Sequence, residues 1–263
     1  MISATRNGTA YYQFENLARF AGIDHKIFTR NAGHSQAPFA SLNVSYGIGD
    51  EENAVAGNRE LIAGIMGTGE MTYLHQVHGC EIALLGRDRQ TENNPAAARP
   101  LVVDAVVTDR SRNFLVVQVA DCQPVLMVDP VRRVVANVHS GWRGSIQNII
   151  GRTVAAMQQH FGCRPEAILA GIGPSLGPCC AEFINWQTEI PEEFWGYKDA
   201  DDHFDFWAIS SDQLVRAGVP QSNIESSRMC TRCRTRDFFS YRAEKTTGRF
   251  AAVIGLRKMA NDE

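Results

Sequence analysis

The sequence predicts an α+β fold in which short buried strands pack against amphipathic helices. The first observation is a set of short apolar runs, rich in β-branched residues, at 101–107, 114–119, 125–129 and 134–138. Such nearly continuous apolarity is typical of strands that are buried on both faces. The second observation is helical spacing of apolar residues over 144–161. The chain has 263 residues, and because no boundary interrupts these patterns we predict a single domain over residues 1–263.

The flanking segments supply the remaining predicted elements. Further strands are expected at 11–14, 25–29, 71–74, 167–172 and 250–256. Further helices are expected from about 51 to 66, ended by Gly67 and Gly69, and over 209–217, while Gly162 is placed to end the helix 144–161. The polar stretch 86–100 contains prolines and is predicted to be an exposed loop, and the tail 258–263 is predicted to fray. The aromatic-rich segment 183–208 is expected to pack a core rather than to hold a ligand.

Composition excludes several classes of protein. The net charge is −3, without the basic excess of a nucleic-acid-binding protein or the basic run of a membrane-surface protein. No apolar run approaches the ~20 residues that cross a bilayer, and the N-terminus lacks the pattern of a signal peptide. The seven cysteines are an odd number. These features argue against a disulfide framework and predict a cytoplasmic protein.

Two histidines and a cysteine follow the ends of predicted strands and form a candidate metal site. They are His75, Cys122 and His139. Neighbouring strand ends lie ~5 Å apart, so these side chains can converge. Two imidazoles and a thiolate suit zinc with one open position, where a bound water would have a lowered pKa, and copper can compete. His75 is preferred to His78 because it directly follows the apolar run, and the two rings would point to opposite faces of an extended segment.

A metal-free interpretation uses the same residues and stays open at this point. Cys122 would be a nucleophile, His139 its general base, and Asp121 or Asp104 would orient the imidazole in a hydrolase or amidase. Elsewhere, the segment 230–233 is a C-x-x-C pair, but no second pair completes a structural zinc site. We therefore expect that pair to contribute to packing.

A candidate anion site follows His139. The turn 141–144 opens a predicted helix, whose N-terminal N–H groups favour an anion, and Arg143 would add charge-assisted hydrogen bonds. Alternatively, Arg143 pairs with a carboxylate. Candidate substrate-binding residues are Arg30 and Asn43 on the polar loop 29–43, together with Arg59 and Arg242. The rival interpretation makes that loop a surface connection and places Arg59 on a solvated helix face.

Six ordered motifs resemble the bacterial laccase-domain family. They are 74–79 (LHQVHG), 120–125 (ADCQPV), 138–144 (VHSGWRG), 171–174 (GIGP) with the pair 179–180 (CC), 239–242 (FSYR) and 247–249 (TGR). This family has been called polyphenol oxidase and is also described as purine nucleoside phosphorylase and as peptidoglycan editing factor. The resemblance implies a four-layer α/β/β/α fold with mixed sheets, similar to the catalytic domain of cytotoxic necrotizing factors. It also implies zinc held by the residues that match His75, Cys122 and His139.

The function that this resemblance implies is a zinc-dependent purine nucleoside enzyme. Its reactions would be phosphorolysis of adenosine, inosine, guanosine and S-methyl-5′-thioadenosine, and deamination of adenosine. Small nucleosides and phosphate would be its partners, with no nucleic acid and no membrane. Asp121 or Asp104 would move protons, Arg143 would hold phosphate, and Tyr73, Trp142 or Phe183 could stack on the base. Alternatives are a peptidoglycan-precursor hydrolase or editing factor, and a copper-dependent phenol oxidase, which seven histidines suit poorly.

Overall fold

A computed structural model of the chain describes residues 1–86 and 101–258. Its strands are β1 (Ile2–Arg6), β2 (Thr9–Gln13), β3 (Ile23–Phe28), β4 (Glu70–Tyr73), β5 (Ile82–Leu85), β6 (Ala105–Thr108), β7 (Asn113–Val119), β8 (Gln123–Asp129), β9 (Val134–Ser140), β10 (Leu169–Ile172), β11 (Ile224–Ser226) and β12 (Phe250–Leu256). Its α-helices are α1 (Glu15–Ala18), α2 (Glu52–Met66), α3 (Trp142–Ile146), α4 (Ile149–Phe161), α5 (Trp186–Glu189), α6 (Phe206–Arg216) and α7 (Tyr241–Glu244). The predicted loop 86–100 beyond residue 86 and the predicted tail beyond residue 258 lie outside the described residues.

The strands form two mixed six-stranded sheets. The first sheet has the order β1-β2-β3-β12-β7-β4, and the second has the order β11-β10-β8-β9-β6-β5. Three pairs are parallel, namely β4 with β7, β5 with β6 and β10 with β11. The central pairs, such as β8 with β9 and β7 with β12, are antiparallel. The predicted α+β class with mixed sheets is therefore confirmed.

The two sheets lie face to face with helices on both outer sides. Leu115 of β7 and Leu126 of β8 belong to the apolar cluster between the sheets. Val116, the next residue of β7, instead packs with Ile62 of α2 on the outer face of the first sheet. Val154 of α4 belongs to the cluster on the outer face of the second sheet. Both faces of the central strands are buried, which explains their continuous apolarity, and the layers follow the predicted α/β/β/α order.

A buried asparagine joins the two sheets. Asn137 of β9 is fully buried, and its side-chain amide donates to the carbonyl oxygens of Leu115 and Ala252, both at 2.9 Å. These acceptors lie on β7 and β12 of the opposite sheet. Because a buried amide without partners would cost free energy, this pairing specifies how the sheets align.

The predicted continuous helix 144–161 is wrong in one respect, since it is broken into α3 and α4. Asn148 takes a left-handed conformation at the break (φ 57°), and its side chain accepts a hydrogen bond from the N–H of Gly151. Asparagine tolerates this conformation and is a favourable N-cap, so it starts a new helix. The predicted cap at Gly162 is confirmed (φ 66°). The helix that follows His139 is therefore only five residues long, which weakens the expected contribution of a helix terminus to anion binding.

The aromatic-rich segment forms a separate apolar cluster, as expected. Phe194, Phe204 and Phe206 are buried in it, and Trp142 and Phe183 pack against them. Because Trp142 is the first residue of α3, this cluster packs against the start of that helix. In residues 1–86 and 101–258, no helix is both long enough and apolar enough to cross a membrane.

One buried histidine lies within the first sheet. His25 of β3 is fully buried, and its Nε2 accepts a hydrogen bond from the N–H of Phe14 at 2.8 Å. Its Nδ1 therefore carries the proton of the neutral ring. Burial lowers the pKa of His25 to about 4, so the folded protein holds this ring neutral.

Candidate active site

A cavity of about 890 Å³ opens where several central strands end. Its wall includes residues just beyond β4 and β7, at the start of β8 and at the end of β9. The tight β7–β8 connection presents Asp121 and Cys122, and the end of β9 presents His139. The two sheets and the short loops between their strands therefore bring polar side chains from distant parts of the sequence to one place.

His78, Cys122 and His139 form a compact group in this wall. Their ligand atoms all lie within 4.8 Å of one another, and Cys122 Sγ is 3.9 Å from His78 Nδ1. The structure thus places His78, rather than the predicted His75, beside the other two residues. His75 is exposed on the cavity wall, where its N–H donates to the carbonyl of Leu101.

The contacts of Asp104 explain why the predicted preference for His75 over His78 was wrong. Asp104 is fully buried, and its Oδ1 accepts hydrogen bonds from His139 Nδ1 at 2.7 Å and from the N–H of His78 at 3.0 Å. Its Oδ2 accepts from the N–H groups of Gly79 at 2.7 Å and Val77 at 3.3 Å. The chain after β4 therefore curls around this carboxylate, with φ 60° at His78. Strand alternation does not apply to such a loop, so it could not predict the directions of the rings.

The charges in this group are strongly coupled. Burial raises the pKa of the Cys122 thiol, but the charge of His139 and hydrogen bonds from both rings outweigh it and lower the pKa to about 6. Burial lowers the pKa of His139, but Cys122 and Asp104 outweigh it and raise the pKa to about 9. Burial also opposes ionisation of Asp104, yet the bond from His139 holds its pKa below the usual range. In the metal-free protein, Cys122 and His139 therefore form a thiolate–imidazolium pair near neutral pH.

The group fits a transition metal by its donor chemistry and spacing. Tetrahedral zinc at ordinary bond lengths separates a sulfur from a nitrogen ligand by about 3.5 Å, close to the 3.9 Å between Cys122 Sγ and His78 Nδ1. Asp104 accepts from Nδ1 of His139 and leaves Nε2 free to bind a metal, as second-layer carboxylates do. The same donors suit copper, so the geometry by itself does not choose the ion.

Gly141 keeps the space beside this group open. A Cβ at this position would lie 2.8 Å from His78 Nδ1 and 3.3 Å from Cys122 Sγ. The φ of Gly141 is an ordinary −74°, so close approach rather than backbone conformation requires glycine here. The glycine-containing turn after His139 thus makes room for the metal group.

Asp121, one of the two carboxylates that the sequence offered to orient the imidazole, makes its hydrogen bonds to other residues than His139. Its Oδ1 accepts from Thr231 Oγ1 and its Oδ2 accepts from the N–H of Arg242, both at 2.6 Å. It takes a left-handed conformation (φ 87°) directly before Cys122. Asp104 therefore orients the imidazole, whereas Asp121 lines the cavity and ties the Cys122 turn to two other segments.

Four arginines give the cavity a positive character. Arg59, Arg143, Arg242 and Arg249 line it, and among the described residues no carboxylate lies within ion-pair distance of their guanidinium groups. The Arg143 guanidinium lies 4.8 Å from the Trp142 ring centroid, and because it has no carboxylate partner among the described residues, the interpretation of Arg143 as half of an ion pair is not supported. The assignment of substrate-binding residues had missed Arg249, although it lies in one of the family motifs.

Arg59 is held by aromatic rings rather than by solvent. Its guanidinium lies 3.8 Å from the ring centroid of Tyr73 and 4.3 Å from that of Tyr46. Its Nε donates to the carbonyl of Val44 at 2.8 Å. These contacts direct a cation into the cavity, so the solvated-face interpretation of Arg59 is wrong.

Two predicted substrate-binding residues lie outside the cavity lining. Arg30 pairs with Glu244 at 2.8 Å. Asn43 is fully buried, donates to Asp50 at 2.7 Å and accepts from the N–H of Arg249 at 2.9 Å. Both residues therefore support loops, and Asn43 acts on the cavity only by holding the backbone of Arg249.

Comparison with known proteins establishes the family. The family model described as "Multi-copper polyphenol oxidoreductase laccase" matches residues 24–257. The chain belongs to this family. The family suspected from the sequence motifs is thereby confirmed.

Individual members of this laccase family resemble the chain over nearly its whole length. Purine nucleoside phosphorylase YlmD of Geobacillus stearothermophilus is 33% identical over 260 residues, covering 91% of this chain and 92% of that protein. A purine nucleoside phosphorylase of Bacteroides thetaiotaomicron is 30% identical over 259 residues, covering 92% and 94%. The crystal structure of Geobacillus stearothermophilus YlmD superposes with a TM-score of 0.84 at 31% identity, covering 97% of this chain and 98% of that chain.

Proposed function

We propose that this protein is a zinc-dependent purine nucleoside phosphorylase. The observation that carries the proposal is the group His78, Cys122 and His139 in the wall of a cavity that also holds four arginines without carboxylate partners among the described residues. The relatives named purine nucleoside phosphorylase support the same activity. The proposed substrates are adenosine, inosine, guanosine and S-methyl-5′-thioadenosine, each with inorganic phosphate.

The cavity suits both substrates by size and chemistry. About 890 Å³ is within the usual range for small-molecule sites. Tyr73, Trp142 and Phe183 line it and offer faces or edges to a purine. In phosphorolysis a phosphate oxygen bonds to C1′ of the ribose as the C1′–N9 bond breaks. We assign phosphate binding to Arg59 and Arg143, which line the cavity, since a guanidinium matches the geometry of phosphate with two parallel hydrogen bonds.

The residues around the metal group have separate roles. A bound zinc would supply a Lewis acid that polarises an oxygen atom in the cavity. Asp104 holds the Nδ1 proton of His139 and fixes the orientation of both histidines. Asp121 lines the cavity beside Cys122, so in the additional deamination of adenosine that we propose it would be the group that moves protons.

The test is a product analysis with matched cysteine variants. Each nucleoside is incubated with and without phosphate, and free base, the sugar 1-phosphate (5-methylthioribose 1-phosphate from S-methyl-5′-thioadenosine) and ammonia are measured. We expect base release only with phosphate, and its loss in Cys122→Ser but not in Cys80→Ser, since Cys80 is half-buried and lies outside the group His78, Cys122 and His139. Full activity and full metal content in Cys122→Ser would refute the proposal.

A cysteine hydrolase acting on a peptidoglycan precursor is the second candidate. The line from Cys122 through His139 to Asp104 has the nucleophile–base–carboxylate arrangement, and the lowered pKa of Cys122 favours a thiolate. This candidate predicts activity that resists chelators and disappears when iodoacetamide alkylates Cys122. Loss of activity on chelation, restored by zinc, would exclude it.

A further inference from the structure

Four cysteines that the nucleoside reaction does not use meet beside the cavity. Cys179 and Cys180 lie in the loop after β10, and Cys230 and Cys233 follow β11. Their sulfur atoms all lie within 4.8 Å of one another. The expectation that no second pair completes the C-x-x-C segment is therefore wrong. The second pair is Cys179–Cys180. The sequence does not indicate this pairing, because the two cysteines are adjacent to each other and lie about 50 residues before the C-x-x-C segment.

The spacing of the sulfur atoms matches tetrahedral zinc. Zn–S bonds of about 2.3 Å separate sulfur atoms in a tetrahedron by about 3.8 Å. Cys233 Sγ lies 3.6 Å from Cys179 Sγ and 3.6 Å from Cys180 Sγ. A disulfide requires about 2.05 Å and joins sulfur atoms in pairs, whereas here Cys233 is equally close to two partners.

The backbone holds the two loops in register before any ion binds. Ser175 donates its N–H to the carbonyl of Met229 at 3.2 Å, and Thr231 donates to the carbonyl of Ser175 at 3.0 Å. At Gly177 an added Cβ would lie 3.1 Å from Cys230 Cβ and 2.6 Å from the Trp207 ring, so the loops approach each other closely there. A preformed site of this kind loses little entropy on binding an ion.

We propose that Cys179, Cys180, Cys230 and Cys233 bind a structural zinc ion, distinct from the proposed centre at His78, Cys122 and His139. Four thiolates complete a tetrahedron and leave no position for substrate, as in structural rather than catalytic zinc sites. None of the four cysteines belongs to the cavity lining. This site does not depend on the proposed reaction.

The ion would stabilise one wall of the cavity. Thr231, within the C-x-x-C segment, donates to the carboxylate of Asp121, the neighbour of Cys122. Arg242 donates to the carbonyl of Cys180 at 3.3 Å and lines the cavity. Joining the two loops through zinc therefore restrains residues on both sides of the Cys122 turn.

The experiment counts metal in matched variants. Wild type, Cys122→Ser, Cys233→Ser, Cys179→Ser and the control Cys80→Ser are loaded with excess zinc under reducing conditions, desalted and analysed by elemental mass spectrometry. We expect Cys122→Ser to keep the structural zinc and to lose only the other ion. Cys233→Ser and Cys179→Ser should each hold one zinc ion fewer than wild type, and Cys80→Ser should match wild type.

A second measurement keeps the proposal testable if Cys179→Ser and Cys233→Ser do not fold. Cys122→Ser loaded with cobalt(II) should show the intense visible and near-ultraviolet bands of a tetrahedral thiolate site. Absence of these bands, together with a metal-free Cys122→Ser protein, would overturn the proposal. So would disulfides among the four cysteines in reduced, zinc-loaded protein.

Discussion

Asp104→Asn is the substitution that most directly tests how the fold organises the metal group. The change keeps the shape of the side chain but replaces one acceptor oxygen with an amide that donates. Asp104 accepts four hydrogen bonds, two on each oxygen, from His139, His78, Gly79 and Val77. Whichever way the amide turns, its NH₂ faces two N–H donors, so two accepted bonds are lost in a fully buried place.

The expected effects follow from these contacts. A buried donor left without its partner costs about 1–3 kcal/mol, so the loss of two partners should lower the free energy of unfolding by about 2–6 kcal/mol. Because the loop carrying His78 and the ring of His139 both lose their anchor, the affinity for zinc should fall about 10- to 100-fold, as for other ligand-orienting carboxylates.

The assay is a zinc competition titration with a chromophoric chelator, combined with urea unfolding. The ion to follow is the one that Cys122→Ser lacks. Asp129→Asn is the matched control, because Asp129 is also buried and accepts from the N–H groups of Val131, Arg132 and Arg164, outside the cavity lining. It should lose stability but keep its zinc affinity. Unchanged zinc affinity in folded Asp104→Asn would refute the role of Asp104.

Three further predictions follow. Gly141→Ala should displace the ring of His78 and lose the zinc that we propose for the cavity, whereas Gly64→Ala, with open space around its Cβ, should keep it. Metal analysis of both variants tests this. Since the pKa of His25 is about 4 when folded and 6.5 when unfolded, the stability from its neutral ring is complete above pH 6.5 and is lost as the pH falls toward 4. It should amount to about 2 kcal/mol between pH 7.5 and 5 in urea titrations, and an equal slope in His25→Gln would contradict it. Arg59→Lys should raise the KM for phosphate about tenfold or more, because lysine cannot bind it with two parallel bonds, and an unchanged KM would rule out a phosphate contact.

Structural features that depend on residues close together in the sequence were predicted well. The strand 250–256 and the helix ending at residue 66 match β12 and α2, and Gly162 caps α4 as expected. Cys122 and His139 lie in one group, as expected, because Cys122 follows the strand β7 and His139 lies at the end of the strand β9, both of which are marked by apolar runs. The helix break at Asn148 was missed, because the apolar residues keep their helical spacing on both sides of it and do not reveal that Asn148 caps a new helix in a left-handed conformation.

The sequence by itself determined the family, the layers and two members of the group His78, Cys122 and His139, since local periodicity and ordered motifs carry that information. Only the tertiary structure chose His78, through a loop wrapped around buried Asp104. It also directed Arg249 into the cavity and joined the Cys179–Cys180 pair to the C-x-x-C segment. These choices depend on contacts between segments far apart in the chain, where neither residue spacing nor side-chain alternation specifies direction.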